Sequence, residues 1–510
     1  MPARVTPEVA AQIPAPFEPG IADWDADKAL RANRDYYSAS VKAELELSDS
    51  LDLISTTSYQ DYKQNNFRDT DGSALDVFSV RQIGSVKSIF QELRLVGNLL
   101  DGRAEFTIGG SYARDKTEEA NTAFVVRTSS ARGFLPFGIQ PFAASLASDQ
   151  QKITTKAIFG SVEFELTDEV SVIGGVRYTK YRNEFSGCTI DVDGNLAAGL
   201  TIIQGVIKSR MPNPTPVIPI ARGTCITLDA VTANPGVHFA TLAQDNISWR
   251  TGVNFKPSPS TLIYLTASKG YKSGSFPNIN ATSSLALRPV SQESVLAFEG
   301  GVKADVIRST HIEASAFYYD YTDKQLRGRI IDPGGVLGAL EALVNVPQSR
   351  AWGIEASVVT RPVDGLSLRA SGLYLDTEVT KDFLNFDPFG VAANFRGNSY
   401  PFSPRWSFQA SADYETAVSS ELNMFAGASI SSQSSSTSAF GGAPLVAIAG
   451  YEIVGARFGV ANPDQGWRAT VWVKNLFDKY YWTDTFRQVD NLSRHVGMGR
   501  SAGIELSYAF

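Results

Sequence analysis

Residues able to make bonds or hold metals are few and scattered. Histidine occurs only at His238, His311 and His495. None has a cysteine or carboxylate at zinc-ligand spacing, so each reads as a loop or lumen residue and no metal centre is expected. The run Asp191-Val192-Asp193-Gly194-Asn195 resembles a calcium loop, but its glycine is misplaced and no glutamate follows where one is required, so a turn is the better reading. Ser273, within Gly270 to Gly274, lacks the spacing of a nucleophile elbow and a motif-placed histidine. Glycine loops followed by Lys-Ser or Lys-Thr, which would cradle phosphate, are absent. The residues therefore predict neither an enzyme nor a cofactor. Cys188 and Cys225 are the only cysteines, both inside one long polar insertion. Such a pair suggests a loop staple in an oxidising compartment, with about 4 kcal/mol of loop entropy behind it; two free thiols are the alternative.

The elements that position these residues follow from composition and period. With 510 residues the chain could hold two to four ordinary domains or one long barrel. A content of 43% hydrophobic residues disfavours a disordered polymer. The net charge of -7 argues against a nucleic-acid binder, because counterion release at phosphates needs clustered Lys and Arg. No apolar run reaches the ~18 residues that a spanning helix needs. A membrane role would have to be built from strands.

From Asp35 onward the dominant period is two, in segments of about ten residues or slightly more, the expected signature of transmembrane strands. Ala104, Phe106, Ile108, Gly110 and Tyr112 alternate with Glu105, Thr107, Gly109 and Ser111. Trp406, Phe408, Ala410, Ala412 and Tyr414 alternate with Arg405, Ser407, Gln409, Ser411 and Asp413. A soluble sandwich would alternate as well; aromatic girdles and unequal loops favour the membrane. Tyr112, Trp352, Trp406, Tyr414 and Trp467 stand near the ends of apolar faces, where an interface is expected. Phe106, Ile108, Phe408 and Ala410 should face outward, and Glu105, Arg405 and Gln409 inward. Short turns rich in Gly, Pro, Asp and Ser fall at 48–50, 98–102, 167–169, 256–260, 304–308, 361–365, 415–420 and 461–466. Long connections fall at 117–152, 185–243, 273–290, 323–345, 380–402 and 477–499. Eight hairpins and a last strand from Arg500 give about 17 strands, an odd count.

Five short motifs stand out, Gln91 to Leu95, Gly174 to Lys180, Tyr264 to Gly274, Ser349 to Glu355 and Val471 to Tyr481, and in this order they resemble the C-terminal barrel of TonB-dependent receptors. The most specific is Val471-Trp472-Val473-Lys474-Asn475-Leu476-Phe477-Asp478-Lys479-Tyr480-Tyr481, similar to the family's strand and NLFDKxYY segment. Tyr264 to Gly274, which includes Ser268, Lys269 and Gly270, is a second, and Gly174 to Lys180, Gln91 to Leu95 and Ser349 to Glu355 complete the set. Read physically, an apolar strand ends here, Asn475 and Asp478 can bond nearby backbone, and the Tyr pair suits an interface. The chain ends on Ile504, Leu506, Tyr508 and Phe510 on one face, which resembles the signal read by the outer-membrane assembly machinery.

The resemblance implies an all-β, antiparallel transmembrane barrel over residues 35–510, incomplete at about 17 of roughly 22 family strands, with 1–34 as a loop remnant. It implies an outer-membrane receptor of a Gram-negative bacterium, in contact with outer-membrane lipid. Such a receptor takes up a scarce nutrient such as an iron-siderophore chelate with the TonB energy-coupling complex. Met1 to Ala10 shows no signal peptide, and neither plug nor coupling box is found. The expectation is therefore a truncated receptor that does not transport alone, whose free edges either close a smaller, strained barrel or prevent insertion. Ligand capture is expected at the long loops, where Arg327, Arg329, Phe383 and Phe386 offer guanidinium donors and aromatic walls to an anionic chelate. A passive porin-like or adhesin barrel, or a non-functional gene fragment, is the alternative.

Overall fold

A computed structural model of the chain describes residues 6–11, 16–307, 309–331 and 339–509. The two-residue period is realised as strands. β1 (Arg31–Ser48), β2 (Leu51–Asp69), β3 (Ser79–Leu99), β4 (Ala104–Phe124), β5 (Ala144–Glu165), β6 (Val170–Asp191) and β7 (His238–Ser258) run 18 to 22 residues each. β8 (Thr261–Lys272), β9 (Glu293–Ile307), β10 (Thr310–Ile331), β11 (Ala339–Thr360) and β12 (Leu366–Val379) follow. β13 (Trp406–Ala417), β14 (Asn423–Gln433), β15 (Tyr451–Asn462), β16 (Trp467–Lys474) and β17 (Ser501–Tyr508) complete the wall with 8 to 12 residues each. All lie in one 17-stranded sheet, each antiparallel to the next in the chain.

At one end the connections are two to five residues long, and each turn expected from the sequence falls at or beside one of them. Gly365 shows why glycine is needed there: its φ is +79°, and a Cβ would collide with the Glu415 carbonyl. The other end carries the long connections. They are shorter than the sequence suggested, because strands of 21 or 22 residues continue well past the 9–11 that a bilayer needs. Above the bilayer both faces are wet, so the alternation that marks a strand disappears although the hydrogen-bond ladder continues. The segment 323–345, read as a loop, is mostly β10 and β11; its tip, 332–338, lies outside the described residues.

The outward face of β3 to β6 shows the membrane band row by row. Leu99, Ala104, Phe164 and Val172 are register partners, followed by Gly97, Phe106, Val162 and Gly174. Leu95, Ile108, Gly160 and Val176 come next, then Leu93, Gly110, Ile158 and Tyr178. Ile108 and Phe408 are 58% and 45% exposed, so they face outward from the wall as expected. An aromatic girdle crosses the far wall, with Trp352 and Tyr374 ring centroids 5.4 Å apart and Tyr374 and Trp406 4.7 Å apart. The inner face is polar and paired: Tyr264 Oη donates to Glu299 at 2.7 Å, Ser315 Oγ to Glu355 at 3.1 Å, and Arg457 meets Asp413 at 2.7 Å. Arg405 departs from its expected inward place. It sits at the bend before β13 and pairs at 3.5 Å with Asp376, the register partner of Trp352 on the girdle side.

The long connection expected at 185–243 is shorter, because strands take both its ends, and it carries a helix. β6 runs on to Asp191, and a helix, Asn195–Ser209, follows. Asp191 starts it, accepting from Gly194 N at 2.6 Å and Ala197 N at 3.2 Å, so the acidic run is a helix entry. Leu196 and Leu200 bury against Ala131, Phe142, Ile226 and Leu228, with Ile203 and Ile207 beside them. Cys188 is disulfide-bonded to Cys225, Cα atoms 5.8 Å apart, clamping the end of β6 to the returning strand segment.

The sheet is not closed by hydrogen bonds among the described residues. β1 pairs only with β2 and β17 only with β16, and every residue of β1 is exposed. The outer loops nevertheless meet above this seam. Ser493 Oγ donates to the Asp71 carbonyl at 3.0 Å, Lys28 meets Asp76 at 2.8 Å, and the Arg494 guanidinium lies 4.8 Å from the Phe17 ring.

Candidate functional site

The long connections from one side of the wall converge on a cavity of about 610 Å³ at the outer mouth. Arg327, Arg329, Phe383 and Phe386, widely separated in sequence, all line it. Arg327 and Arg329 lie near the tip of β10, two apart and therefore on one face. Phe386 ends the small strand Leu384–Phe386, which pairs with Ala392–Asn394 as a hairpin. The sequence Asp387-Pro388-Phe389-Gly390 turns that hairpin: Asp387 Oδ1 accepts from Phe389 N at 2.9 Å and Val391 N at 2.8 Å, and Gly390 takes a φ of +83°.

Asn385 fastens the hairpin to the wall. Its Oδ1 accepts from Arg329 N and its Nδ2 donates to the Arg329 carbonyl, both at 3.0 Å. Behind the hairpin Phe383 packs with Phe395 and Phe440, centroids 5.4 to 6.0 Å apart, over Val346 and Val379. Phe383 is only 6% exposed, so it is a supporting wall, while Phe386 is half-buried at the surface of the cavity.

Positive charge dominates this mouth. Lys324 lies 4.2 Å from the Tyr321 ring and 5.0 Å from that of Tyr400. Burial pushes the Tyr400 phenol far above its ordinary range, so it stays neutral beside that cation. Arg487 enters from the last long connection, donating to the Pro388 carbonyl at 3.2 Å and resting 5.4 Å from the Phe389 ring. The two lining carboxylates are engaged: Glu341 pairs with Arg327 at 3.0 Å, and Asp387 holds its own turn. The sequence marked neither Lys324, Asn385, Tyr400 nor Arg487. Asn385 could have been suspected beside the DPFG turn; Arg487, 99 positions from its carbonyl partner, carries no local signal.

Asn475 takes a positive φ of 49° and is buried at the end of β16. Its side chain accepts from Lys479 N at 2.8 Å and donates to the carbonyls of Lys479 at 3.0 Å and Met498 at 3.1 Å. Asp478 Oδ1 accepts from Arg500 N at 2.8 Å, tying the outgoing strand to the returning one. Leu476 N donates to Val454 O at 2.8 Å, Phe477 is 75% exposed, and Tyr480 and Tyr481 pack near Phe17 and Tyr451. A strand end locked this way accounts for the motif physically. The profile of the family described as TonB dependent receptor-like, beta-barrel, matches residues 9–476. The chain belongs to this family.

Ser268, Lys269 and Gly270 of this TonB-dependent receptor barrel are wall positions in β8, with Lys269 Nζ 5.6 Å from the Tyr271 ring. They do not reach the cavity lining, nor does the Cys188–Cys225 pair. Phe510 lies outside the described residues. The pesticin receptor of Yersinia pestis is 22% identical over 444 residues, 82% of this chain and 51% of that protein. The chain thus spans about half the length of the curated relative it matches. The ferric yersiniabactin uptake receptor FyuA of Yersinia pestis shares its fold with a TM-score of 0.70 at 16% identity, covering 94% of this chain and 61% of that one. The siderophore receptor PiuA of Acinetobacter baumannii gives 0.65 at 17% identity, covering 93% and 64%. These are receptors and transporters, not enzymes.

Proposed function

We propose that this barrel captures an anionic metal chelate of the ferric siderophore class at its outer mouth, as part of an outer-membrane receptor for energised uptake. The observation that carries this reading is the cavity where Lys324, Arg327, Arg329 and Arg487 meet the rings of Phe386, Phe402 and Phe486. Guanidinium forks match carboxylate and catecholate oxygens, and flat rings pack against aromatic chelating arms. Siderophore receptors among the similar solved structures support the ligand class. The TonB energy-coupling complex and the outer-membrane assembly machinery are the proposed partners. The barrel domain, expected from the sequence at 35–510 with 1–34 as loop, is proposed to begin with β1 at Arg31, because Arg31 to Arg34 already pair with β2. Uptake is assigned to the receptor with the sheet edges paired, because unpaired strand edges in lipid cost several kcal/mol for each exposed backbone group.

The test is ligand binding by the purified chain in detergent, read by intrinsic fluorescence quenching. A ferric catecholate and ferric citrate are compared with cobalamin and a maltooligosaccharide. The iron chelates should bind more tightly, and Arg329→Ala/Arg487→Ala should weaken them about tenfold to a hundredfold, as expected for two charge-assisted contacts. Preference for the neutral oligosaccharide, or an unchanged affinity in the double variant, overturns the reading. In cells, loss of accumulation when the proton gradient is dissipated separates energised uptake from a passive pore.

A further inference from the structure

A ladder of aromatic rings climbs the inner face of β10. Phe317, Tyr319 and Tyr321 follow Ser315 at two-residue spacing, so they share its inward face. Phe317 and Tyr319 stack with ring centroids 4.8 Å apart, Tyr319 meets Tyr321 edge-on at 6.5 Å, and Tyr321 meets Tyr400 edge-on at 6.3 Å. Tyr400 also lines the mouth cavity, so the ladder leads from that cavity into the lumen. Its lower end adjoins a groove of about 550 Å³ on the inner wall, lined by Tyr264, Glu299, Ser315, Glu355 and Gln409. Phe317 is the register partner of Glu299 on β9, and Ser315 that of Glu355 on β11, so ladder and groove are continuous.

Small neighbours leave these rings accessible. Ala297 and Ala351 are the register partners of Tyr319, and Gly353 that of Phe317. A Cβ at Gly353 would come within 2.7 Å of the Phe317 ring and one at Gly301 within 2.7 Å of the Tyr264 ring, so glycine lets both rings lie along the wall. Phe317, Tyr319 and Tyr321 are each half-buried. At the top of the ladder the Tyr400 and Ser349 hydroxyls neighbour each other, both more than nine-tenths buried, and neither makes a well-formed hydrogen bond. Charge along this wall is the reverse of that at the mouth. Glu299 accepts from Tyr264 Oη and Glu355 from Ser315 Oγ, and neither forms an ion pair among the described residues. The lysines bounding the stretch are engaged elsewhere, Lys303 with Glu313 at 3.4 Å and Lys324 with Glu293 at 3.7 Å. A carboxylate offers about four lone-pair sites, so Glu299 and Glu355 can each accept further donors.

We propose that this inner face is a second binding site, taking an uncharged ring compound that carries hydroxyl donors, its flat face on the ladder and its hydroxyls on Glu299 and Glu355. Each part of the ligand answers an observation. Rings laid along a wall call for a flat apolar face to stack on them. Carboxylates without cations call for donors and repel anions, so the anionic chelate assigned to the mouth is not the ligand of this site. A phenolic ring and a pyranose sugar share this chemistry. The site depends on the lumen opening from the mouth cavity, and it stands whether or not the mouth takes a ferric chelate.

The experiment titrates the full chain with catechol and with maltotriose, the two sources, in a polyoxyethylene detergent whose head group carries no sugar. Dimethoxybenzene, a ring without donors, and benzoate, a ring with a negative charge, are the comparisons. Calorimetry and saturation-transfer NMR read the affinity. Catechol, maltotriose or both should bind saturably and about tenfold or more tighter than either comparison, and the tighter of the two names the source. Tyr319→Ala/Tyr321→Ala should weaken that binding about tenfold or more, and Tyr319→Phe/Tyr321→Phe should keep it within about threefold. Glu299→Gln/Glu355→Gln, nearly isosteric, should also weaken it about tenfold, and decides the matter if the alanine pair fails to fold. Trp472→Ala, on the inner face of β16, and Arg329→Ala/Arg487→Ala at the mouth should leave it within about threefold. The proposal is overturned by an absence of saturable binding, by a comparison that binds equally well, or by ladder and glutamine variants that bind like the parent. Loss of binding in the mouth variant overturns it in favour of the mouth cavity. Ferric chelate binding should persist in the ladder variants, so failure of the mouth reading and failure of this one give different results.

Discussion

Replacing Asn385 with alanine tests whether the mouth cavity is held by a side chain or by its aromatic packing. Asn385 makes two hydrogen bonds to one residue, from Arg329 N and to Arg329 O, each 3.0 Å long. It thereby supplies the ladder partner that the hairpin backbone does not. A neutral hydrogen bond contributes about 1 kcal/mol net, so losing two costs about 2 kcal/mol, equivalent to a roughly thirtyfold rise in local opening. The Phe383, Phe395 and Phe440 cluster stays intact, so the hairpin should loosen and not unfold globally. Hydrogen exchange with mass spectrometry on peptides covering Arg329 and the 384–394 hairpin reads this directly. Exchange there should accelerate about tenfold to thirtyfold while β4 and β5 remain protected. If exchange at Arg329 stays within about threefold of the parent, the aromatic cluster alone positions the hairpin and the reasoning from hydrogen bonds is wrong.

Two further outcomes follow from the outer loops. Cys188→Ser/Cys225→Ser should release about 4 kcal/mol of loop constraint, making 192–237 more than tenfold more sensitive to thermolysin with the barrel strands still resistant; uptake of alkylating reagent by the unreduced parent would remove the premise. Glu119 and Asp149 are register partners toward the outer ends of β4 and β5; burial raises the Glu119 carboxyl and Asp149 raises it further, while burial also raises Asp149. The folded state therefore favours the protonated forms: the penalty is absent below the ordinary carboxyl range, grows as pH rises toward the raised values, and stays constant above them. Glu119→Gln should raise the thermal midpoint at pH 7.5, leave it nearly unchanged at pH 4, and flatten the profile between. A midpoint lowered at both pH values would show that the carboxylate is needed as an acceptor.

The parts of the structure legible in the sequence are those where one physical constraint acts on every second residue. Phe106 and Ile108 share the outward face, where a membrane barrel is apolar, and Glu105 the inward one, where it is polar. Turn residues such as Gly365 were legible for a similar reason, since local backbone angles choose them. Above the bilayer the constraint lapses. The upper ends of β4, β5, β10 and β11 are wet on both faces, so Glu118-Glu119-Ala120-Asn121 looks like loop although it is strand. The helix Asn195–Ser209 did leave a signal, Leu196, Leu200, Ile203 and Ile207 at helical spacing, hidden by the polar residues around it. Arg327, Arg329, Phe383 and Phe386 could be chosen because side-chain type suits an anionic chelate. Their convergence with Lys324 and Arg487 depends on which loops lean together, and pairwise sequence spacing does not encode that.

The odd strand count has a geometric consequence at the seam. In an antiparallel sheet of seventeen strands the first and last run in the same direction, so β1 and β17 cannot be joined by antiparallel pairing. Closure requires either a parallel seam or an odd number of strands between them. The two edges are also unequal, β1 with 18 residues and β17 with 8. A parallel seam would satisfy at most the shorter length and leave the remainder of β1 open. Tyr37, Val41 and Leu45 alternate along the exposed face of β1 and are 57% to 69% exposed, the pattern of a strand suited to a wall, not of one blunted against pairing. Lys42 and Glu44 pair with each other on the alternate face. Physically, the edge is therefore competent to extend the sheet, and strand addition at β1 satisfies the backbone groups that lipid would otherwise leave unpaired.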